Sequence, residues 1–566
     1  MVIDYKDISF SFKAKRKRVR IRRLKIVLIL FFIISLIFVV KSIHEYKRIK
    51  NLQALLLQNR PGQAAALLKK IESSFFYPDS KKELKALAYL FNKEISHGER
   101  ILEKLQGRST SVTSKDFLDY FLDNARYREL EVYTNYLLKK GEDARFYKIL
   151  VETAFFNSEQ SRELIKHLPA AEKIEKVKML NIVNEIHKEL ESGKIKTLFD
   201  VNDSPLAYYD IDEKKIIPMI PGFDFSPFEA DIENSLKFYK LTIAKPIQEK
   251  IHRLFRDYSG SFILLNLDDS SIIAAYSKPL NRKPENAVFF REYEPASIIK
   301  VLTLFTHLKH NGAELFPLQC RGKLPVDNKI FYDWLTHGKV SSYNEALAVS
   351  CNIAFARMGL NVGFKNLSEV LGNFYFNSGG IKDLFMNFKT GRYNRNFPSD
   401  YRLAKLSVGL SNNNEKRNSK EALVTTTTFH SALISGFIAH NGSIYSPYLI
   451  HSIKNMLNLG FYTHRGEIIH SFKDHNRVFF KVKEAMKEVV ESPRGTGRRA
   501  RVNFVKTAVK TGTAGNRRKG YDAILTGFFP ADRPRYAFAF ILQQAGKAEL
   551  KGTLFLRDFL ISFYEK

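Results

Sequence analysis

Two apolar runs interrupt the otherwise mixed pattern of hydrophobic and polar positions along the chain. The first, Leu24 to Ile43, would cover roughly 30 Å as a helix, which is enough to cross the hydrocarbon core of a membrane. The second, Ile298 to Leu308, has apolar residues on every side of a 3.6-residue period, which predicts a buried helix. Its one lysine, Lys300, would be costly to bury unless it has a partner or a chemical role.

Helical periodicity dominates the region between these runs, residues 44–195, with short breaks rich in Asn, Pro and Gly. Amphipathic segments recur near residues 81–94, 114–125, 127–140, 143–156 and 170–192. They predict an all-α domain of stacked helical hairpins, in the manner of tetratricopeptide-like solenoids, although no consensus repeat is present. Such a domain either binds partner proteins or serves as a rigid stalk, and the pattern does not choose between them.

The pattern changes near residue 195. Residues 196–234 hold short β-like runs and turns and are interpreted as a linker, and Asp231 to Phe255 again has helical character. A hairpin follows, formed by Phe262–Leu267 and Ile272–Tyr276, because the two apolar runs are separated by turn-forming residues. A mostly helical stretch then extends to about residue 440.

Strand-like runs return near the C-terminal end of the chain. They lie at Phe504–Val509, Ile524–Phe529 and Tyr536–Leu542, and an apolar-faced helix from Thr553 to Tyr564 follows them. Strands at both ends with helices between them predict one mixed α+β unit over residues 235–566. Its sheet would be completed by distant parts of the chain.

Positive charge is concentrated at the N-terminus. The chain carries a formal charge of +31, of which residues 1–50 contribute +11. A basic tail, residues 1–23, before an apolar span, residues 24–43, predicts a single-pass anchor in the cytoplasmic membrane with the N-terminus in the cytoplasm. No small-x-small cleavage site and no second long apolar run follow the span, so we expect an uncleaved anchor and an extracytoplasmic, periplasmic bulk. The remaining basic excess is interpreted first as a solvated basic surface; a lipid surface or acidic polymers are the alternative, and no motif indicates nucleic acid.

The two cysteines, Cys320 and Cys351, are too few for a disulfide framework and give no metal cluster by their spacing. They could form one bridge in an oxidising compartment, but the sequence does not show how far apart they lie. We expect two unpaired, partly buried thiols.

A serine and a lysine at the start of the second apolar run are the first candidate for chemistry. Ser297 and Lys300 share a helix face, and Pro295 suits the start of the helix. Burial favours the neutral amine of a lysine, which can then act as a base near neutral pH. A Ser-x-x-Lys match by itself is common, so it needs further support.

Two later groups supply that support. Ser350 and Asn352 interrupt a nearly apolar segment and could relay a proton and hold an amide. Lys510-Thr511-Gly512 comes after a strand-like run, where it would place an ammonium and a hydroxyl on a strand edge and let a substrate backbone approach over the glycine. An activated hydroxyl, a base and oxyanion donors are the parts that acyl transfer by a serine requires.

In this order, the three groups resemble the active-serine signature of penicillin-binding proteins and serine β-lactamases. Tyr293-Glu294-Pro295-Ala296-Ser297 is similar to the family's Tyr-Glu-Pro-Gly-Ser, and the likeness covers residues 235–566. Ala296 stands where the family has Gly, and Thr426 stands where it has Pro, so the chain resembles a divergent member.

The resemblance implies an α+β transpeptidase domain, an antiparallel sheet flanked by helices, in a membrane-anchored class B-like protein. Residues 196–234 would be the remnant of a pedestal. The segment Glu142–Phe146 looks like the start of a glycosyltransferase motif, but Ile149 stands where the histidine is expected, so no second enzymatic domain is predicted.

The family's residue roles carry over at the matching positions. Ser297 would be the nucleophile, Lys300 the acylation base, and Ser350 the proton relay to the leaving amine. Asn352 would orient Lys300 and the substrate amide.

The Lys-Thr-Gly strand would bind the substrate. Lys510, Thr511 and Thr513 would hold the terminal carboxylate, Gly512 would let the substrate approach, and the N–H groups of Ser297 and Thr513 would form the oxyanion hole. The resemblance implies no metal and no cofactor.

The implied activity is a peptidoglycan D,D-transpeptidase that cross-links stem peptides and is inhibited by β-lactams, with other cell-wall synthesis proteins as partners of the helical domain. Three alternatives stay open. They are a D,D-carboxypeptidase with the same site, a β-lactamase or β-lactam sensor, and a catalytically silent scaffold.

Overall fold

The chain forms two compact units, residues 1–188 and 189–566. The structure, a computed structural model, describes residues 5–105, 110, 112–123, 126–154, 194–234, 237–280, 286–396, 399–410, 422–455, 460–472, 477–516, 518 and 520–565. The division agrees with the change in pattern near residue 195, and the finer boundaries at 196 and 235 stay predictions.

The first unit is helical, as the sequence predicts. Its described helices are α1 (Tyr5–Leu57), α2 (Pro61–Ile71), α3 (Pro78–Phe91), α4 (Ile95–Glu103), α5 (Ser114–Asp123), α6 (Tyr127–Lys140) and α7 (Arg145–Ala154). The uninterrupted α1 contains the apolar run and is long and apolar enough to cross a membrane. Beyond that run it packs against α2, α3 and α5, where Ile49, Leu52 and Leu56 are buried. The segment predicted near 170–192 lies outside the described residues.

The second unit mixes strands and helices, which confirms the predicted α+β class. Its helices are α8 (Glu229–Asn234), α9 (Lys245–Leu254), α10 (Ala287–Phe290), α11 (Ile299–Lys309), α12 (Tyr343–Ala348), α13 (Asn352–Asn373), α14 (Asp400–Val408), α15 (Thr428–Ala439), α16 (Val478–Glu491) and α17 (Thr553–Tyr564). Its strands are β1 (Lys194–Phe199), β2 (Pro205–Asp210), β3 (Lys215–Pro218), β4 (Lys237–Leu241), β5 (Ser259–Asn266), β6 (Ile272–Lys278), β7 (Leu318–Cys320), β8 (Lys323–Val326), β9 (Lys329–Tyr332), β10 (Gly338–Val340), β11 (Ile381–Lys382), β12 (Asn387–Phe388), β13 (Arg392–Tyr393), β14 (Val424–Thr425), β15 (Ser443–Tyr445), β16 (Ile450–Asn455), β17 (Gly460–Thr463), β18 (Ile468–His470), β19 (Ala508–Asn516), β20 (Gly520–Phe529) and β21 (Tyr536–Gln543).

A five-stranded antiparallel sheet of order β19-β20-β21-β5-β6 carries the site. The predicted hairpin of β5 and β6 is confirmed, and β21 joins it to the two C-terminal strands. The sheet is therefore completed by residues about 270 positions apart in the chain, as the sequence predicts. α15 packs against β20, β21 and β5, and its residues are buried throughout.

The structure corrects two predicted elements. The strand predicted at Phe504–Val509 begins only at Ala508 and continues to Asn516, because its partner β20 pairs with it from Ala508 onward. Phe504 is exposed instead. The predicted helix from Asp231 to Phe255 is interrupted by β4, which lies between β1 and β16 in a six-stranded sheet of order β17-β16-β4-β1-β2-β3. Within residues 196–234, predicted as a linker or pedestal remnant, most of β1 and all of β2 and β3 belong to this sheet.

The buried helix α11 lies in the core of this unit. Every residue from Ile299 to His307 is buried, as the all-round apolar pattern predicts. α11 contacts α13, α14 and α16. The two polar side chains next to Lys300 in the helix bond to backbone carbonyls: Thr303 to Ser407 O at 2.8 Å and Thr306 to Leu302 O at 2.7 Å. The hydroxyl groups of both threonines are therefore satisfied inside the core.

Candidate active site

Ser297 lies in a single 3₁₀ turn, Ala296–Ile298, that leads directly into α11. Two backbone hydrogen bonds of 2.9 Å between Tyr293 and Thr426 hold the segment that precedes the turn. The neighbours Ala296 and Ile298 are buried, whereas Ser297 is only half-buried. The sequence places Ser297 in the first turn of an α-helix, and the structure places it one tighter turn earlier, with its side chain reachable from solvent.

Ala296 has a left-handed backbone conformation, with φ +48°. This region favours glycine because a Cβ is strained there. Two glycines contact the same turn: a Cβ on Gly409 would lie 1.9 Å from Ala296 O, and one on Gly512 would lie 3.4 Å from the Ala296 Cβ. The turn that carries Ser297 is therefore tightly enclosed, and Ala296 keeps a strained conformation at the position where glycine would relieve it.

Lys300 is fully buried and donates to acceptors on one connecting segment. Its Nζ lies 2.7 Å from Ser350 O, 3.1 Å from Ser350 Oγ and 2.6 Å from Asn352 Oδ1. Burial lowers the pKa of Lys300 to about 8, although the negative charge of Asp333 opposes the shift. The amine is therefore close to the balance between its charged and neutral forms near neutral pH, which is what a general base needs.

The segment of Ser350 and Asn352 connects two helices in a sharp turn. α12 ends at Ala348, Ser350 has a φ of +56°, and α13 starts at Asn352. Trp334 steadies this turn, since its indole Nε1 donates to Ser350 O at 3.2 Å. The sharp turn is what directs the Ser350 hydroxyl and the Asn352 amide toward Lys300.

Lys510 reaches the same serine from the strand β19. Its Nζ donates to Ser350 Oγ at 3.0 Å and to Thr511 O at 2.8 Å, and the side chain is fully buried. Burial, and then the charge of Lys300, hold the pKa of Lys510 well below its ordinary value. Two ammonium groups beside one hydroxyl repel each other, so the pair holds its second proton weakly.

The rest of the Lys-Thr-Gly strand runs beside the Ser297 turn. A Cβ on Gly512 would lie 3.1 Å from Pro295 O and 3.5 Å from Ser297 N, so the strand backbone passes close to the nucleophile. The hydroxyl of Thr511 lies 2.8 Å from that of Thr496, and Thr513 Oγ1 accepts from the N–H of Ala548 at 3.0 Å. The Thr513 hydroxyl hydrogen remains available for donation because its oxygen acts as acceptor in that bond.

The structure thus brings Ser297, Lys300, Ser350, Asn352 and Lys510 to one place, with Thr511, Gly512 and Thr513 along the adjoining strand. Sequence reasoning missed Trp334 and Thr496. Both line a cleft of about 480 Å³, together with His337, Val349, Arg494 and Leu550. Trp334 is the one tryptophan of the chain, a signal that could have found it, whereas nothing in the sequence marks Thr496.

A second cluster of titratable groups lies directly behind Ser350. Asp333 Oδ2 is 3.3 Å from Cys351 Sγ, 3.5 Å from Cys320 Sγ and 3.3 Å from His337 Nδ1. Both cysteines are free thiols, as expected, but they are fully rather than partly buried. The carboxylate also accepts from Ile353 N at 3.2 Å, which ties the cluster to the first turn of α13.

Burial alone would raise the pKa of Asp333, but the hydrogen bond from His337 and the charge of Lys300 lower it to about 2. Burial, reinforced by this carboxylate, raises the pKa of the Cys351 thiol. The donor atoms of Cys320, Asp333, His337 and Cys351 lie within 4.8 Å of one another and could hold a metal ion. The expectation of no metal site, made from the spacing of the cysteines, stays a prediction. Sulfur, nitrogen and one carboxylate oxygen are ligands that suit zinc.

Comparison with known proteins matches much of the second unit to a described family. A family model, the penicillin-binding protein transpeptidase domain, matches residues 260–555. The chain is 24% identical over 379 residues to the peptidoglycan D,D-transpeptidase MrdA of Haemophilus influenzae, an alignment that covers 55% of this chain and 54% of that protein. The chain therefore spans about half the length of this curated relative.

Solved structures share the fold at low identity. The D,D-transpeptidase domain of a peptidoglycan glycosyltransferase from Eggerthella lenta is 19% identical, with a TM-score of 0.57 over 66% of this chain and 98% of that one. Penicillin-binding protein A from Mycobacterium tuberculosis, as a penicillin G acyl-enzyme complex, is 19% identical, with a TM-score of 0.55 over 66% of this chain and all of that one (100%).

Proposed function

Because the chain belongs to the penicillin-binding protein transpeptidase family, we propose that it is a membrane-anchored peptidoglycan D,D-transpeptidase that works through an acyl-enzyme on Ser297. The observation that carries the proposal is the convergence of Lys300 and Lys510 on the hydroxyl of Ser350, beside the turn that holds Ser297. Substrates would be stem peptides that end in D-Ala-D-Ala. MrdA, which bears the name of this activity, is similar over half its length.

In the first half-reaction, Ser297 Oγ bonds to the penultimate D-Ala carbonyl carbon. Neutral Lys300 takes the hydroxyl proton. The C–N bond to the terminal D-Ala then breaks, and the leaving nitrogen receives a proton through Ser350. The pKa of Lys300, about 8, supports this role because a substantial fraction of the amine is neutral near neutral pH.

The second half-reaction transfers the acyl group. An amine from another stem peptide attacks the ester carbon and loses a proton to the basic site, and Ser297 Oγ regains one as the C–O bond breaks. A D,D-carboxypeptidase would use water in place of the amine. Backbone N–H groups of Ser297 and Thr513 would stabilise the oxyanion in both steps, and removal of one such donor typically costs roughly 10²–10³ in rate.

The terminal carboxylate would bind at the Lys-Thr-Gly strand. A carboxylate beside Lys510 supplies the opposite charge that this buried amine lacks, and so favours its charged form. Thr511 and Thr513 supply hydroxyl donors on the same strand. β-Lactams present a similar carbonyl and carboxylate, so they should acylate Ser297; penicillin G does form an acyl-enzyme with the structurally similar penicillin-binding protein A.

The anchor is part of the proposal. α1 carries a basic N-terminal segment followed by an apolar run that is long enough to cross a membrane. The positive-inside rule then supports a cytoplasmic N-terminus and an extracytoplasmic second unit. In that location the site can reach peptidoglycan precursors.

The decisive experiment is covalent labelling of the full-length protein with a fluorescent penicillin. Ser297→Ala should lose the label completely because the attacking oxygen is gone. The matched variant Ser368→Ala should label like the wild type, since this half-buried serine of α13 donates only to Lys365 O within its own helix. Label retained on Ser297→Ala would overturn the nucleophile. A wild type that binds no penicillin would favour the scaffold alternative.

Product analysis with separate donor and acceptor stems decides between the two reactions. Cross-linked dimers are expected, and release of D-Ala without dimers would instead establish the carboxypeptidase. Rapid turnover of the antibiotic would indicate a β-lactamase.

A further inference from the structure

The connection between α2 and α3, residues 72–77, places three consecutive aromatic side chains beside the anchor helix. We call it the aromatic loop; its aromatic residues are Phe75, Phe76 and Tyr77. The Phe75 side chain is 83% exposed, more than Phe31 at 70%, the most exposed side chain of the apolar run itself. An isolated exposed phenylalanine needs no explanation, but this one belongs to a cluster with a defined position relative to the membrane.

Contacts with α1 define that position. The rings of Phe76 and Phe38 lie 4.8 Å apart, and the Tyr77 hydroxyl is 3.0 Å from Ser42 Oγ. Both partners belong to the span predicted at residues 24–43. Phe38 lies five residues before Ile43, which is about 7.5 Å along a helix. The loop is therefore level with the last turns of the apolar span.

One buried lysine keeps the loop at this level. Lys81 Nζ donates to Ile71 O and to Ser74 O, each at 2.8 Å, and forms an ion pair of 3.2 Å with Glu45 on α1. Lys81 and Glu45 are both nearly fully buried. Through Lys81, the end of α2 and the middle of the loop are linked to Glu45 of the anchor helix. The position of the loop along the membrane normal is therefore set by α1.

The surroundings suit a lipid headgroup region. Lys69 and Lys70 lie exposed in the last turn of α2, directly before the loop, and Lys41 is exposed on α1 at the same end of the span. Aromatic rings with basic neighbours are typical of the boundary between hydrocarbon and water, where anionic headgroups attract lysine.

We propose that the aromatic loop inserts into the outer leaflet of the cytoplasmic membrane beside α1, with Phe75 as the side chain that enters the lipid. This rests on the proposed single-pass anchor. A single helix can rotate and tilt in the bilayer, whereas a second contact displaced from its axis restrains both motions. The loop would accordingly set how the first unit stands on the membrane.

Tryptophan fluorescence with brominated lipids tests the proposal on the full-length protein in vesicles of phosphatidylcholine and phosphatidylglycerol. Bromine quenches tryptophan on contact, and it can be placed near the headgroup end or near the middle of the acyl chain. The wild type, with Trp334 as its one tryptophan, gives the baseline. The variants are Phe75→Trp, Phe31→Trp as the anchor control, and Phe504→Trp as a matched exposed aromatic of the second unit.

Phe75→Trp should lose additional emission with shallow bromine, and Phe31→Trp with deep bromine, while Phe504→Trp should match the baseline. Quenching of Phe31→Trp without quenching of Phe75→Trp would overturn the loop insertion and leave the anchor intact. If Phe31→Trp is not quenched, the anchor itself fails. Blue-shifted but unquenched emission from Phe75→Trp would show that a protein surface, from a second copy or another chain, covers the loop instead of lipid, which also overturns the proposal.

Discussion

At the scale of single residues, two lysines from distant parts of the chain end on one serine hydroxyl. Ser350 Oγ accepts from Lys300 at 3.1 Å and from Lys510 at 3.0 Å. Each amine is fully buried, and each pKa is lowered, because burial removes the water that stabilises an ammonium. Burying the two lysines costs free energy. The same burial lowers their pKa, so they release protons more readily.

The pH dependence of acylation follows from this arrangement. Below a pKa of about 8 the Lys300 amine binds a proton and cannot accept one from Ser297, so the second-order rate of acylation by a penicillin should rise with pH and level off above about 8. Below that pH the rate should fall by roughly tenfold per unit. Stopped-flow labelling between pH 6 and 9 measures it, with thermal unfolding at each pH as the control. A flat profile would contradict Lys300 as the base.

Ala296 offers a second prediction at this scale. Its φ of +48° is strained for alanine, and a left-handed residue with a Cβ costs roughly 1–2 kcal/mol. Ala296→Gly should therefore raise the free energy of unfolding by about 1 kcal/mol, after the greater freedom of glycine in the unfolded chain is allowed for. Chemical denaturation measures the change.

The matched control is Ala432→Gly in the buried interior of α15, which should destabilise by roughly 0.5–1 kcal/mol because its backbone is helical. Equal losses for both variants would show that the Ala296 conformation is not strained.

At the scale of elements, the end of one helix supports the turn of the nucleophile. α14 ends at Val408, and its C-cap residue Gly409 has a φ of +74° and a backbone that lies against the carbonyl of Ala296. Gly512 of β19 also passes this turn. The site is thus built where α11, α13, α14 and β19 meet, and each contributes through a close backbone approach or a buried side chain.

Gly409→Ala should be severely damaging. The new Cβ would lie 1.9 Å from Ala296 O, a backbone atom that cannot move without Ser297, and the positive φ adds strain. We expect a loss of about 3 kcal/mol in the free energy of unfolding and a large drop in penicillin labelling of whatever remains folded.

Gly372→Ala is the control, since it lies in α13 with no atom within 4 Å of the new Cβ. It should stabilise by up to about 1 kcal/mol through helix propensity. Comparable behaviour of the two variants would show that the contact of Gly409 with the nucleophile turn is unimportant.

At the scale of the whole molecule, the two units have separate cores. The first unit includes the C-terminal part of α1, where Ile49, Leu52 and Leu56 are buried. All eight site residues lie in the second unit, together with the five-stranded and six-stranded sheets. The chemistry should therefore not need the helical unit.

A fragment of residues 189–566 tests this separation. It should fold cooperatively and react with fluorescent penicillin at a rate within about threefold of the full chain, because no residue of the site is removed and a change of that size corresponds to less than about 1 kcal/mol. The same fragment with Ser297→Ala gives the background level of labelling. A fragment that melts cooperatively but takes no label would show that the first unit completes the site.

Much of this protein could be read locally. Patterns formed by neighbouring residues can be recognised from the sequence alone. They include the apolar run of α1, the all-round apolar helix α11, the β5–β6 hairpin, and the Ser-x-x-Lys, Ser-x-Asn and Lys-Thr-Gly groups. Three errors or omissions have one cause. The sequence pattern predicts a helix where β4 lies, and it predicts a start for β19 that is four residues too early. It also does not indicate that Asp333 contacts Cys320 and Cys351.

Each of these depends on pairing or contact with residues outside the segment itself. β4 is a strand because β1 and β16 pair with it, and β19 starts where β20 can pair with it. Asp333 meets both cysteines only because β7 and the turn before α13 come together.

The sequence by itself determined the apolar span of α1, the helical character of the first unit, the α+β class of the second and the candidate residues of the site. Only the tertiary structure decided that both lysines point at Ser350, that Ala296 is strained between two glycines, and that the aromatic loop stands level with the apolar span. The physical reason is that composition and period are properties of a segment. Distances, burial and the pKa shifts that follow from them are properties of the packed chain.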